Sequence, residues 1–438
     1  MIAAAPIALL LALSARTVTL EEAERAAETR KPEVRVAQAD AAAGVARTEQ
    51  ARAPALPQIK IVAEYDRTTG NRRQRPGRVT EVNNTWDTFN WFEGQATATQ
   101  LIFDFGKTLN SWRAAEMRAV ALADTERATR LEAVGTVRAA YFRARAAKAL
   151  IGVANQTLAN QNRHLTQISG FVQAGTRPEI DLAQARADQA NARVGLIRTE
   201  TDFTNARAEL NQAMGVAADT DYDVADDGFP PVPGEGGPVG PLIDEAIRAR
   251  PDVAALDSRV RAQELAARAA RGAYGPALNL IAGARDEGQT LTQTPALDNF
   301  DQPYLKGGMA WNVWGGVQLS WGLFQGLQTR GQVREADAQL TAARAERDGA
   351  INQVWVAVQQ AAAGVRAAKE ALAASDEALT AARERLRLAD GRYTAGVGSI
   401  IELADAELGS TRAGAQRVAA EYALATARAA LVLALGRK

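Results

Sequence analysis

Residues 100–106 read QLIFDFG, and residues 318–326 read QLSWGLFQG. The second stretch is a slightly lengthened copy of the first, placed about 220 residues later. The prolines that open each half keep the same spacing, since Pro32 recurs as Pro251. General similarity between alanine-rich helices would not keep such landmarks in register. The chain is therefore a duplicated unit, and its organisation follows from that unit.

The duplication divides the chain into a first repeat at residues 16–215 and a second repeat at 242–438. Residues 216–241 between them are rich in Asp, Pro and Gly, which predicts a linker. Residues 1–15, MIAAAPIALLLALSA, are apolar and end in small residues, as secretory signals do, although no basic residue precedes them. We expect an exported protein; the alternative for residues 1–15 is a buried N-terminal segment of a cytosolic protein.

Composition excludes several classes of function. The 438 residues contain 51 Lys+Arg and 51 Asp+Glu, so bulk charge does not favour binding to nucleic acid. The chain has no cysteine and one histidine, which excludes thiol catalysis and cysteine- or histidine-rich metal sites within one chain. We expect no enzyme activity, no metal and no cofactor. His164 lies among polar residues, which predicts a solvated side chain.

Each repeat has the same predicted order of elements: a helix, two strands and two further helices. The helices are broken at residues 170–178 and 390–398, where glycines interrupt the pattern. The first repeat has its opening helix at 20–52, strands at 58–66 and 92–103, and a long helix at 106–168. The second has its opening helix at 241–271, strands at 277–285 and 312–324, and a long helix at 325–388.

The two long helices carry an apolar residue at every seventh position. Each runs for roughly 60 residues, or about 90 Å, which is typical of coiled coils and not of an ordinary globular domain. A sustained heptad pattern predicts left-handed packing between helices. The apolar positions are Val137, Ala144, Ile151, Leu158 and Leu165 in the first repeat, and Ile351, Val358, Val365, Leu372, Leu379 and Leu386 in the second.

The strands alternate between apolar and polar residues, as strands do in a membrane barrel with a wet lumen. A soluble β-sandwich has the same alternation, so the strands alone leave both open. Aromatic residues crowd the strand ends, which predicts a membrane-interface girdle. Four strands cannot close a barrel in lipid without leaving edges unpaired, so the chain must oligomerise, and three copies would supply 12 strands. The girdle comprises Trp91, Phe92, Phe103, Trp311 and Trp321.

This doubled order of elements resembles the TolC family of outer-membrane efflux proteins. The resemblance is carried by the run ALPQI at residues 55–59, QLIFDFGK at 100–107, and the two helix breaks with the segments that follow them. It extends over essentially the whole chain after residue 15. The fold that it implies is mainly α with β: a homotrimer with a 12-stranded outer-membrane barrel on a long periplasmic tunnel of helices.

The resemblance also implies a function and its partners. Proteins of this family are passive exit ducts in tripartite efflux or type I secretion. A periplasmic adaptor joins them to an inner-membrane transporter, and outer-membrane lipid surrounds the barrel. By this resemblance the chain lies in the outer membrane with a large periplasmic portion. Export of drugs, metals or proteins remains open.

The helix breaks correspond to the tunnel mouth of the family. We expect adaptor docking at the matching turns, Gly175 with Thr176 and Gly396 with Val397. The positions that match the family's pore-lining acids are Glu402, Asp405 and, in the first repeat, Asp181, and the resemblance assigns these three acids to the pore constriction. Glu402 and Asp405 lie three residues apart and share a helix face. In a trimer such acids would form cation-attracting rings; the alternative is a solvated helix start favoured by the helix dipole.

The family holds its closed state with a network of an acid, a base and a tyrosine. Asp181 and Tyr393 match the acid and the tyrosine. The basic position falls on Gly398, so Arg177 or Arg392 would have to replace it. The rival interpretation of the whole chain is a periplasmic coiled-coil adaptor or structural scaffold. It accounts for the long helices and leaves the doubled pairs of strands unexplained.

Overall fold

The computed structural model describes residues 17–69, 88–217, 222–290 and 309–438. The predicted signal segment, residues 1–15, lies outside the described residues. The first repeat contains β1 (Thr17–Val18), α1 (Leu20–Arg30), α2 (Pro32–Arg52), β2 (Gln58–Thr69), β3 (Thr88–Phe103), α3 (Lys107–Gln173) and α4 (Glu179–Met214). After these come β4 (Asp223–Val224), α5 (Val239–Ala249), α6 (Pro251–Gly272), β5 (Ala277–Thr290), β6 (Met309–Ser320), α7 (Gln328–Thr394) and α8 (Ile400–Ala434). The described residues form two compact units, one helical and one that contains the main sheet.

The opening helix of each repeat is broken in two, and the predicted single helices at 20–52 and 241–271 are wrong in this respect. Lys31 and Arg250 are extended, with φ/ψ of −61°/128° and −73°/124°. Each precedes a proline, whose ring disfavours helical backbone at the preceding residue. The proline then begins the next helix, because the first helical turn needs no donor from it.

The last helix of each repeat ends against the point where the opening helix of the same repeat is interrupted, at Arg30 in the first repeat and Arg250 in the second. α4 ends at Gly215 and α8 is followed by Gly436, both with φ of 71°. A Cβ at Gly215 would lie 2.8 Å from the carbonyl carbon of Arg30, and one at Gly436 would lie 2.9 Å from Cγ of Arg250. Both positions therefore need glycine for backbone conformation and for close approach.

The main sheet has the antiparallel order β2-β3-β5-β6. Strands β3 and β5 pair from Asn90↔Thr290 onward, which joins the two repeats in one sheet. Strands β2 and β6 are its edges. The predicted fourth strand, 312–324, extends too far: β6 ends at Ser320, and the N–H of Leu323 donates to the carbonyl of Trp321 in a turn, 3.2 Å. Glycines at 322 and 326 favour this early end to the ladder.

The heptad positions point into the helical unit, as predicted. Val137, Ala144, Val358 and Val365 are fully buried, and the other heptad residues of both helices are half-buried. Small side chains at several of these positions let the helix backbones approach closely. Among the helices that the structure describes, none combines the length and the apolar character needed to cross a membrane.

The described part of the predicted linker is packed into the helical unit. Strand β4 pairs in parallel with β1, and the Asp227 carboxylate accepts the N–H of Leu20 at 3.1 Å. Further along, Glu235 has only 6% of its side chain exposed. Its carboxylate lies 2.7 Å from Nζ of Lys369 and 3.0 Å from Nη2 of Arg428. The segment therefore fastens α7 and α8 in addition to connecting the repeats.

Candidate functional site at the helix turns

The two helix breaks are turns of the same geometry. After α3, the N–H of Gly175 donates to the carbonyl of Val172 and that of Thr176 to Phe171, both at 3.0 Å. After α7, Gly396 donates to Tyr393 at 3.1 Å and Val397 to Arg392 at 3.0 Å. This is the Schellman pattern, which needs left-handed backbone at the residue after the helix. Gly175 and Gly396 supply it with φ of 71° and 78°.

The turns expose apolar side chains. Val397 is 71% exposed, and Ile180 and Ile401, at the starts of α4 and α8, are exposed to a similar extent. Apolar side chains at such positions cost solvation without contributing to the packing of this chain. The segment after each turn glycine, up to the first residues of the next helix, thus presents a small hydrophobic surface.

Behind the turns, α3, α4, α7 and α8 meet around a cluster of buried residues. Tyr393 lies in this cluster, with Ile168 and Leu403 packed nearby. The Arg177 guanidinium lies over the Tyr393 ring at 4.6 Å from its centroid, and Arg177 Nη2 donates to the Tyr393 carbonyl at 3.2 Å. The first turn is in this way attached to the end of α7.

Asp181 is buried in the same region, and its negative charge interacts electrostatically with Tyr393. Burial raises the pKa of Tyr393, the negative charge of Asp181 raises it further, and Arg177 opposes both. The Tyr393 hydroxyl is buried and has no hydrogen-bond partner among the described residues. The structure therefore brings together Asp181, Tyr393 and Arg177. Arg392, the other candidate base, pairs with Glu402 instead, and its Nε lies 3.2 Å from Oε1 of that residue.

Gly398, which the resemblance aligns with the basic position of the family's closed-state network, has no room for a side chain. A Cβ there would lie 2.9 Å from the Tyr393 nitrogen and 3.0 Å from the Arg392 carbonyl carbon. These are backbone atoms that cannot move aside cheaply. The local geometry of the turn therefore excludes a basic side chain at position 398.

Glu402 and Asp405 lie in the first turns of α8. The Ser399 hydroxyl caps this helix and accepts the N–H of Glu402 at 3.1 Å. The Glu402 side chain is half-exposed beside Arg392, while Asp405 is exposed. Asp181, grouped with them by sequence, is buried against Tyr393. The three acids therefore have two different environments.

His164 belongs to a buried pair that the sequence did not predict. Its Nε2 lies 2.6 Å from Oε1 of Glu407, and the two side chains are only 13% and 10% exposed. Gln161 donates to the other carboxylate oxygen at 2.7 Å. The interaction with Glu407 raises the pKa of His164, burial lowers it, and the charge of Asp390 raises it further.

The prediction of a solvated His164 is wrong because α8 covers this part of α3. Its place next to heptad residue Leu165 was the available signal, since such flanking positions pair between helices.

The predicted girdle residues differ in their environments. Phe92, Phe103, Trp311 and Trp321 are exposed. Trp91 is 4% exposed and lies on the polar face of β3 with Glu93, so the prediction of an exposed girdle position is wrong for this side chain. Alternation along the strand explains this, since Trp91 and Phe92 must point to opposite faces.

Comparison with known proteins places the chain in a family. The outer membrane efflux protein family matches residues 25–216 and again 242–437. The toluene efflux pump outer membrane protein TtgF of Pseudomonas putida is 29% identical over 186 residues, which span 41% of this chain and 37% of TtgF. The outer membrane protein OprJ of Pseudomonas aeruginosa is 25% identical over 367 residues, 82% of this chain and 71% of OprJ.

Solved structures show the same fold at low sequence identity. CusC superposes with a TM-score of 0.79 at 19% identity, covering 96% of this chain and 92% of CusC. The outer membrane protein VceC of Vibrio cholerae gives 0.76 at 17% identity, covering 95% and 96%.

The fold with its doubled turns is that of a TolC-like outer-membrane channel. The chain belongs to the outer membrane efflux protein family, and the family predicted from its sequence is confirmed. The predicted location in the outer membrane is confirmed as well.

Proposed function

We propose that the chain is the outer-membrane exit duct of a tripartite efflux or type I secretion system. The carrying observation is the four-stranded sheet, which takes two strands from each repeat and whose two edge strands have no further partner among the described residues. Unpaired edges are not tolerated in lipid. Three chains that pair β6 of one copy with β2 of the next would close a 12-stranded barrel.

Light scattering of the purified protein, corrected for bound detergent, tests this architecture. We expect the mass of a homotrimer. A monodisperse monomer that keeps its native circular dichroism would contradict the barrel and with it the duct.

The pore constriction in this proposal is formed by the start of α8. Three copies of Glu402 and Asp405 would place six carboxylates around the opening, which attracts cations. Asp181, which is buried, would act behind the opening by holding the closed arrangement of Tyr393 and Arg177. The duct would open when an adaptor and an inner-membrane transporter bind.

Conductance of the reconstituted channel tests the pore assignment. Glu402→Gln with Asp405→Asn should lower the preference for cations and weaken block by multivalent cations. A matched control, Glu370→Gln with Glu377→Gln, removes the same charge from exposed positions of α7. Equal effects of the two double variants would show that the start of α8 does not form the constriction.

The proposed docking surface for a periplasmic adaptor comprises Gly175, Thr176, Gly396 and Val397. The exposed apolar side chain of Val397 supports this proposal, as do the matching turns of the two repeats.

Cross-linking tests the docking surface. The chain has no cysteine, so Val397→Cys carries a unique thiol for cross-linking. We expect cross-links from this position to the adaptor encoded with the pump. Val356→Cys, an exposed position within α7, is the control. Equal yields at both positions would refute docking at the turns.

A further inference from the structure

A groove of about 810 Å³ lies where the chain passes between the main sheet and the helices that flank it. Three aromatic side chains, Phe105, Tyr274 and Trp321, line it together with two arginines, Arg268 and Arg271. The combination of a mainly apolar lining with cationic groups is typical of a site for an amphipathic anion.

The walls of the groove are held in place by close packing. A Cβ at Gly275 would lie 2.3 Å from Cδ2 of Phe105, so the aromatic ring sits directly on the glycine. Phe105 itself has φ of 54°, which is uncommon for a residue with a side chain. Trp321 Nε1 donates to the Tyr274 carbonyl at 3.0 Å. The groove is therefore formed before any ligand enters.

The charges in the groove are not balanced. Arg271 Nη2 lies 2.7 Å from Oδ1 of Asp337 and is thus paired. Arg268 is exposed, and no carboxylate among the described residues lies within ion-pair distance of it. None of the described residues that line the groove is acidic. Arg268 thus has its planar guanidinium available, and this group matches the geometry of a phosphate.

Apolar exposure continues next to the groove. Leu323 and Phe324, in the turn after β6, are among the most exposed large apolar residues of the chain, and Phe103 is exposed at the end of β3. Exposed aromatic residues at strand ends, with arginine beside them, are characteristic of the boundary between hydrocarbon and headgroups. A water-soluble anion would not account for the aromatic walls, whereas a lipid accounts for both features.

We propose that this groove binds one anionic phospholipid per chain. Its phosphate pairs with Arg268, and the acyl carbons nearest the headgroup lie against Phe105 and Trp321. This proposal rests on the proposed function, because the lipid reaches the groove only if the main sheet lies in the outer membrane.

The test uses the full-length protein, delipidated in detergent and then mixed with phosphatidylglycerol or with zwitterionic phosphatidylcholine. Native mass spectrometry counts the bound lipids. We expect up to one retained phosphatidylglycerol per chain and weaker retention of phosphatidylcholine. Arg268→Ala should weaken retention of phosphatidylglycerol about tenfold, the effect of losing one charge-assisted contact. Arg268→Lys should restore part of it.

Arg259→Ala is the matched control, since Arg259 is an exposed residue on the opposite side of α6. Equal retention of the two lipids, or equal loss in the Arg268→Ala and Arg259→Ala variants, would overturn the proposal. If Arg268→Ala dissociates the oligomer, the groove is a contact between copies of the chain and the lipid assignment is wrong. Light scattering of the unmodified protein separates the two proposals: a trimer without lipid preference refutes only the lipid site, and a monomer refutes the duct.

Discussion

Replacing Glu235 by glutamine should destabilise the helical unit more than the loss of any single exposed ion pair. The Glu235 carboxylate is 6% exposed and engages Arg428 through both oxygens, at 3.0 and 3.1 Å. It also lies 2.7 Å from Lys369 Nζ and accepts the N–H of Val232 at 2.9 Å. Glutamine keeps the size of the side chain and removes the charge. Arg428, itself largely buried, would lose its counter-charge.

The magnitude follows from the pKa of Glu235. Burial alone would raise this pKa, but the interactions with Arg428, Lys369 and Val232 lower it from 4.5 to about 2. Each tenfold change in proton affinity corresponds to about 1.4 kcal/mol, so the network contributes about 3 kcal/mol at neutral pH. Because the folded-state pKa is the lower one, this stabilisation is complete above pH 4.5 and is lost as the pH falls towards 2.

Denaturant unfolding in detergent, followed by helical circular dichroism at pH 7 and at pH 2, measures the difference between Glu235→Gln and the unmodified protein. The control is Glu245→Gln. Glu245 also pairs bidentately with an arginine, Arg437, but its side chain is 38% exposed, so the expected cost is at most about 1 kcal/mol. If Glu235→Gln costs no more than Glu245→Gln, or if its cost is unchanged at pH 2, the reasoning is wrong.

Two further predictions concern the region of the turns. The single histidine gives one NMR signal, and we expect it to titrate above 6.5; Glu407→Gln should lower the pKa of His164, and an unchanged titration would disprove the pairing. Because that pKa is raised on folding, the pair stabilises the fold fully below pH 6.5 and loses its contribution as the pH rises through the folded-state value. Gly398→Ala should destabilise the second turn by about 1–3 kcal/mol, since its Cβ meets the backbone at Tyr393. Gly391→Ala, a helical position with open space, should be neutral or stabilising, and thermal unfolding of both variants checks the contrast.

Features that are local or periodic in sequence were predictable. The glycine turns are set by backbone conformation at Gly175 and Gly396, and the heptads are set by helix geometry. Pairings between distant segments were not predictable. His164 and Glu407 meet only because α8 packs on α3, and nothing near either residue specifies that partner. The burial of Trp91 likewise depends on which face of the sheet is covered.

In each repeat the end of the last helix packs on the interruption of the opening helix, and this has a consequence for the origin of the chain. Gly215 packs on Arg30 and Gly436 on Arg250, so a half-length polypeptide already contains both sides of that contact. Six such halves could occupy the six places that three whole chains fill in the proposed trimer. Fusion of two halves then allows neighbouring places to differ. The first half carries the buried Asp181, and the second carries the half-exposed Glu402 and the exposed Asp405. The chain can therefore change alternate positions around a ring, which six identical halves could not do.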